Sequence, residues 1–317
     1  ISLTWRTKLW VKQTMRTNTN YHIPVLLRQS VDQLNLKEDA LVVDATFGGG
    51  GHSSYMLTKL SSKGFLYAFD QDLDAVPNAF NVSNFKLIQA NFKFLKNHLA
   101  AEGVTQVDAI LADIGVSSHQ FDAAERGFSF RYEAPLDMRM NQRAGKTAAA
   151  WLNESSEEEL LRVFNTYSDL NNVYKLVQHI LKNRDVASFK TTSDLNRICL
   201  DLAPKHKEHK YIAQVFQAIR VEINDEVGAL KSLLKDASEV LRVGGRISVI
   251  SYHSIEDRLV KNFFKKGDFE AQETKDFFGN LVRPFREINR HPIVPDALEI
   301  EENNRARSAK LRTAERI

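Results

Sequence analysis

Val42-Val43-Asp44-Ala45-Thr46-Phe47-Gly48-Gly49-Gly50-Gly51-His52-Ser53 is the stretch from which the rest of the chain can be read. Val42 and Val43 read as the end of a buried strand, since short β-branched runs bounded by glycine fit a sheet interior. Four consecutive glycines then let the backbone turn sharply and approach a ligand with no Cβ in the way. From His52 onward, Tyr55, Met56, Leu57 and Leu60 have the spacing of an amphipathic helix, so the loop feeds a helix N-terminus. A strand, a glycine turn and a helix start together predict a nucleotide-type cofactor site.

The flanking sequence repeats the pattern. Phe65-Leu66-Tyr67-Ala68-Phe69 reads as a second strand ending in Asp70-Gln71-Asp72, and Phe85 to Gln89 as a third, with a helix from about Asp74 between them. Asn91 and Phe92 stand at the exit of that third strand. Val107 to Ala112 reads as a fourth strand, ending at Asp113. This alternation predicts an α/β fold with a doubly wound, mainly parallel sheet. It then stops. Thr147 to about His209 carries helical stripes, with Ser155 and Ser156 each three residues before a glutamate as capping signals. A long helical stretch from Tyr211 to Leu241 and a fifth strand, Arg246 to Ser251, resume the pattern, and Tyr252-His253-Ser254 follows at the exit. An inserted helical domain therefore interrupts the sheet.

Composition narrows the class. The chain of 317 residues has a formal charge of +3 and a single cysteine, Cys199. One cysteine excludes an internal disulfide and fits a reducing, cytoplasmic setting. Cys199 shares an apolar helical face with Leu195, Ile198 and Leu202, which predicts packing and not catalysis. No apolar run reaches the ~18 residues of a membrane span. No metal site is expected, because paired cysteines and a His-Glu-x-x-His motif are both missing; His206 and His209, among lysines, read as a solvated face. Ile1 to Asn20 holds Arg6, Lys8, Lys12 and Arg16 with no acidic residue, a composition also found in transit segments. Met15 stands just before the first organised segment, and a start there is the simpler reading of residues 1–20.

Ligands of such sheets bind beyond the carboxyl ends of the strands. Those ends are Gly48 to His52, Asp70, Phe92, Asp113 and His253. Asp70 comes twenty residues after Gly50, about the spacing at which a carboxylate accepts ribose hydroxyls. Phe92 is placed to pack on a purine, and Asp113 to meet the reactive end of the cofactor. His253 suits an acid or base as a residue type, though a satisfied structural histidine is the simpler reading. A dinucleotide fingerprint starting at Gly48 would put Ser53 where its third glycine belongs. The pattern Asp44-x-Thr46-x-Gly48-x-Gly50 is nearer to the loop of S-adenosylmethionine enzymes. Arg126-Gly127-Phe128-Ser129-Phe130-Arg131 interleaves bases and aromatics in a manner suited to stacking and phosphate contact.

The motifs together resemble one family, the bacterial small-subunit rRNA (cytosine-N4)-methyltransferases of the MraW type. The strings that carry the resemblance are His22 to Leu27, Asp44 to Ser53, Ala68 to Asp72, Asp113 to Ser118, Arg126 to Arg131, Pro135 to Met140, Phe216 to Arg220, Ser251 to Arg258 and Asn304 to Arg312. They run in order from about Tyr21 to the C-terminus. The resemblance implies S-adenosyl-L-methionine as cofactor, contacted by Gly50, Gly51, His52, Asp70, Phe92, Asp113 and Gln120. It implies a discontinuous methyltransferase domain, 21–124 and 213–317, with the insert at 125–212 helping to bind RNA. It further implies a cytidine in the decoding region of 16S rRNA, free or in the small ribosomal subunit, methylated on its exocyclic nitrogen. A homodimer stays open. The chain departs from the family pattern at His119, Phe121, Ser168, Asn304 and 210–215, which touches details of RNA contact and not the cofactor site.

On this reading Asp113, or the backbone just after it, orients the amine and the cofactor, with His253 as a further catalytic candidate. Phe128, Phe130 and Tyr252 are candidates to sandwich the target base. Arg126, Arg131, Arg139, Arg305, Arg307 and Arg312 are the expected RNA contacts. Two other classes compete: a nicotinamide-dependent oxidoreductase, disfavoured by the missing third glycine, and a non-catalytic assembly factor, disfavoured by the intact strand-end residues.

Overall fold

The computed structural model describes residues 24–317. The expectations for residues 1–20 and for a start at Met15 lie outside the described residues. The chain forms two compact units, one from 24–115 with Gly228–Ile317, the other Val116–Val227.

The first unit is a seven-stranded sheet of β1 (Leu41–Asp44), β2 (Phe65–Phe69), β3 (Phe85–Ile88), β4 (Val107–Asp113), β5 (Leu241–Ser251), β6 (Phe285–Glu287) and β7 (Lys310–Arg316), in the order β3-β2-β1-β4-β5-β7-β6. The first five are mutually parallel; β7 runs antiparallel to both β5 and β6. Val42, Val43, Ile110 and Leu111 are fully buried, as strands covered on both faces require. Register then sets the rim. Asp44 lies level with Ala68 of β2 and Leu111 of β4. Asp70 and Asp113 therefore each stand two residues beyond Asp44, one on either side of β1. At the opposite end, Asp108 ties three strands by accepting from Leu41 N at 2.7 Å and Arg242 Nη1 at 2.6 Å.

Several expectations change in detail. The helix expected from Asp74 is a 3-10 turn, Leu73–Asn78, because Pro77 cannot donate in a longer helix. The helical stretch Tyr211–Leu241 is two helices, Glu208–Ile223 and Glu226–Val240, broken where Asp225 takes φ 47°. The fifth strand starts at Leu241, five residues earlier than its apolar core indicates. Arg312, an expected RNA contact, lies instead in β7, where Leu311, Arg312, Thr313 and Ala314 are all buried. Arg312 can be buried because its Nε donates to Asp257 Oδ1 at 2.7 Å, while Lys310 Nζ reaches Oδ2 at 3.2 Å. Burial opposes the charge of Asp257, but these two cations outweigh it and hold the carboxyl below its usual range.

The second unit is helical, with Ser118–Asp122, Ala148–Glu154, Glu157–Tyr167, Val173–Val186, Thr192–Leu202 and Glu208–Ile223. It is wider than the expected 125–212, because both Tyr211 to Ile219 and Phe121 pack on its core. Ser156 caps its helix through Glu159 N at 3.1 Å, whereas Ser155 ends the preceding one. Thr191 and Asp194 form a reciprocal capping box. Cys199 is fully buried in this core and burial pushes its thiol far up, so it packs and does not react. His206 and His209 are exposed, as expected.

The buried pair makes a testable difference between two substitutions. Asp257→Ala strands the Arg312 guanidinium and is expected to cost about 3 kcal/mol in denaturant unfolding. Arg312→Met removes the charge with its counter-charge left near solvent and Lys310, and should cost clearly less; equal losses would mean that packing, not the ion pair, sets the effect.

Candidate functional site

The glycine run makes a tight turn at the carboxyl end of β1. Gly50 has φ 77° and is the N-cap of the helix Gly51–Leu57; a Cβ on it would lie 2.9 Å from the Phe80 ring. A Cβ on Gly51 would lie 2.1 Å from Pro24 Cγ, so glycine is obligatory at both positions. The loop is anchored from below by Ala45 N to Leu111 O and Phe47 N to Phe69 O, each 2.8 Å.

Three carboxylates order this end of the sheet. Asp44, fully buried, accepts from Ser53 Oγ at 2.6 Å and Thr46 N at 3.1 Å. Asp70 accepts Gly48 N on Oδ2 at 2.7 Å and Asp72 N on Oδ1 at 2.8 Å, so it holds the glycine loop while each oxygen keeps a lone pair for a ligand. Asp113 accepts the Tyr252 hydroxyl on Oδ1 at 2.7 Å, and its backbone N donates to Thr46 Oγ1 at 2.7 Å. Burial pushes Asp44 and Asp70 up to about 6. Asp113 is pushed up to about 7, chiefly by burial, with Asp44 and Glu256 adding to the rise and the Tyr252 bond opposing it. Among the described residues no lysine or arginine forms an ion pair with any of the three; the nearest basic group is His52, whose Nδ1 is 4.0 Å from Asp113 Oδ2. Burial holds His52 down to about 4, and it is therefore neutral.

The donor set distinguishes between ligands. A pyrophosphate needs N–H donors and cations; this rim presents acceptors and carboxylates. A cationic ligand bearing ribose hydroxyls fits it. Gly50, Gly51, His52, Asp70 and Asp113 are thus brought together as expected. Phe92, partly buried, opens the short 3-10 turn after β3, whose Asn91 cap accepts from Lys93 N at 2.8 Å. Gln120 belongs to the second unit, where its Oε1 accepts from Ser117 N at 3.0 Å and completes a capping box. His253 caps the helix Ser254–Lys266 and stands beside Glu256, Nε2 to Oε1 2.9 Å, but at an angle that makes no hydrogen bond. Tyr252 makes a contact that the sequence does not show: its hydroxyl donates to Asp113 Oδ1 at 2.7 Å.

The expected RNA contacts divide by placement. Arg126 is buried and donates to the carbonyls of Arg139 and Met140 at 3.0 and 3.1 Å. Phe128 is buried in the helical core, and Phe130 packs edge-on against Phe216 at 5.6 Å. Arg139 is locked to Asp137 through two bonds, of 2.7 and 2.9 Å. Arg312 is the sheet residue described above. Arg131 and Arg307 are exposed, and Arg305 is partly so.

Comparison with known proteins places these features. A model of the MraW methylase family matches residues 19–317. The chain is 51% identical over 298 residues to the ribosomal RNA small subunit methyltransferase H of Cytophaga hutchinsonii, covering 93% of this chain and 99% of that one. It is 50% identical over 303 residues to the protein of the same description in Flavobacterium johnsoniae, covering 96% and 100%. A solved rRNA methylase from Streptococcus thermophilus aligns over 93% and 98% of the two chains at 14% identity and a TM-score of 0.39, a likeness too weak to bear on the site.

The buried carboxylate has a stability signature. Asp113 titrates near 7 when folded against 3.8 when free, so its contribution to stability is full at low pH and is lost as pH rises from about 4 to 7. Asp113→Asn keeps an acceptor for Tyr252 and removes the charge. In the ligand-free protein it should raise the melting temperature at pH 8 and change it little at pH 4.5; a pH-independent loss would contradict the assignment.

Proposed function

Because the chain belongs to the MraW methylase family, we propose that it methylates small-subunit rRNA from S-adenosylmethionine, acting on the exocyclic N4 amine of a decoding-region cytidine. The observation that carries the reading is the acidic rim, Asp44, Asp70 and Asp113, unpaired with lysine or arginine among the described residues, around a glycine turn at the carboxyl ends of a parallel sheet. Such a rim attracts a sulfonium ligand and repels a pyrophosphate. When bound, the cofactor supplies an electrophilic methyl group.

The protein's part is placement. Asp70, with a lone pair left on each oxygen, accepts the ribose hydroxyls, and Phe92 packs on the adenine. His52 and Asp113 present acceptors to N–H groups. The N4 amine of cytosine is a weak nucleophile because its lone pair is delocalised into the ring. Holding it in line and accepting an N–H from it favours the pyramidal geometry that attack requires. The backbone just after Asp113 is the candidate for that contact, since the Asp113 carboxylate serves the cofactor. His253, tied to its own helix cap and to Glu256, is better suited to holding the exit of β5 than to moving a proton.

RNA is recognised on this reading by the exposed cations Arg131 and Arg307, with Arg139 and Arg305 as further candidates. Arg126, Phe128 and Arg312 shape that machinery from within and do not touch the nucleic acid. The target base leaves its stack to reach a buried amine acceptor. A ribosomal substrate sets the action in the cytoplasm.

Incubation with labelled S-adenosylmethionine and small subunits lacking the modification, followed by nucleotide mapping, is expected to place one methyl on a decoding-region cytidine N4. Label on another base, or none, overturns the proposal. Arg131→Ala with Arg307→Ala should weaken binding to a decoding-region RNA and lower the slope of log K against log salt by about 0.7 per lost single-strand contact. Cofactor affinity should not move; an unchanged salt slope would return both arginines to the surface at large.

A further inference from the structure

The Asp113 carboxylate is held from one side only. Tyr252, at the exit of β5, gives it the single side-chain hydrogen bond it accepts among the described residues, O–H to Oδ1 at 2.7 Å. Its other oxygen, Oδ2, lies 4.0 Å from His52 Nδ1. The tautomer of that imidazole is fixed by its far nitrogen: Nε2 sits 3.1 Å from the Val25 carbonyl, which can only accept. Nε2 therefore carries the proton, and Nδ1 turns a bare lone pair toward Asp113. Two acceptors thus face each other, with no side-chain donor between them among the described residues. A nitrogen at the usual ~2.9 Å from both would see them about 90° apart, which two N–H bonds of one amine or ammonium can satisfy.

We propose that Tyr252 is a positioning residue: its hydroxyl caps Asp113 Oδ1 so that Oδ2 and His52 Nδ1 form one seat for a single nitrogen bearing at least two protons. The seat rests on the methyltransferase reading, under which the cofactor's primary ammonium is the group of that chemistry. Without the hydroxyl, the carboxylate could rotate or take up a proton and offer the seat a donor in place of an acceptor. The groups facing Asp113 all favour that proton except Tyr252: Asp44 at the end of β1 and Glu256 on the helix after β5 are anionic, and His52 is neutral. The Tyr252 ring also packs beside Gly115, its Cδ2 3.6 Å from where a Cβ would stand, so the ring and the hydroxyl have separable roles.

Tyr252→Phe keeps the ring and removes the bond. In the ligand-free protein, the carbon-13 carboxyl resonance of Asp113 should titrate with a midpoint about one unit higher in the variant, because the lost bond favoured the charged form. S-adenosylmethionine affinity, measured by calorimetry across pH, should fall on the acid side with a midpoint displaced by the same amount. The variant is then about fivefold weaker at pH 7, about tenfold weaker well below it, and close to wild type at pH 9. Identical carboxyl midpoints in the two proteins overturn the proposal, since a packing role alone would not move them. A wild-type protein that binds no S-adenosylmethionine at any pH overturns the methyltransferase reading, and the carboxyl titration still decides whether Tyr252 holds Asp113.

Discussion

The organisation of the site depends on placing carboxylates at the end of a sheet where no lysine or arginine among the described residues pairs with them. Register puts Asp44 level with Ala68 and Leu111, and so sets Asp70 and Asp113 two residues further out on its flanks. Each charge is tolerated through hydrogen bonds: Ser53 and Thr46 to Asp44, two backbone amides to Asp70, and the Tyr252 phenol to Asp113. Hydrogen bonds soften the cost of burial without cancelling the field, which is why all three groups stay above the usual carboxylate range. The remaining negative potential is what a cationic ligand meets. Elsewhere in the same unit the opposite solution appears, with Asp257 neutralised by Arg312 and Lys310. The contrast marks the rim as a binding device and the Asp257 cluster as a brace.

Much of this was legible in the sequence, for a physical reason. Strand, glycine turn and acidic strand end each demand particular residue types, and the parallel sheet fixes where they converge. Val42 to Ser53, Asp70 and Asp113 were therefore readable from spacing alone. What escaped was set by partners distant in sequence. Lys310 to Arg316 looks like a run of free cations until Asp257 is seen to take Arg312 and Lys310, and the Ser238 and Pro284 carbonyls to take Arg316. Arg126 and Phe128 look the same in a loop facing RNA as in one folded onto a core. Asn224 and Asp225 interrupt a continuous helical stripe with no proline or glycine at the break itself; Asn224 instead donates to the Met138 carbonyl at 2.8 Å and accepts from Met140 N at 2.7 Å.

The reading of Tyr252 carries the same lesson at the scale of one atom. An aromatic residue at a strand exit invites a stacking role, and the sequence offers no sign of what its hydroxyl touches. Once the bond to Asp113 is in view, the ring's part in the fold and the hydroxyl's part in the site separate. The tautomer of His52 follows from an equally remote partner, the Val25 carbonyl. The loop supplies shape, and these second contacts decide which atoms are left to accept.

The central claim is that the rim selects a cationic nucleoside over a pyrophosphate. Calorimetric titration of the same protein with S-adenosylmethionine and with oxidised nicotinamide dinucleotide at pH 6.5 tests it most directly. The account predicts one S-adenosylmethionine bound per chain with release of protons, as Asp113 ionises on meeting a cation, and no heat from the dinucleotide at the same concentrations. Comparable binding of the dinucleotide, or S-adenosylmethionine binding with no proton released, would contradict it.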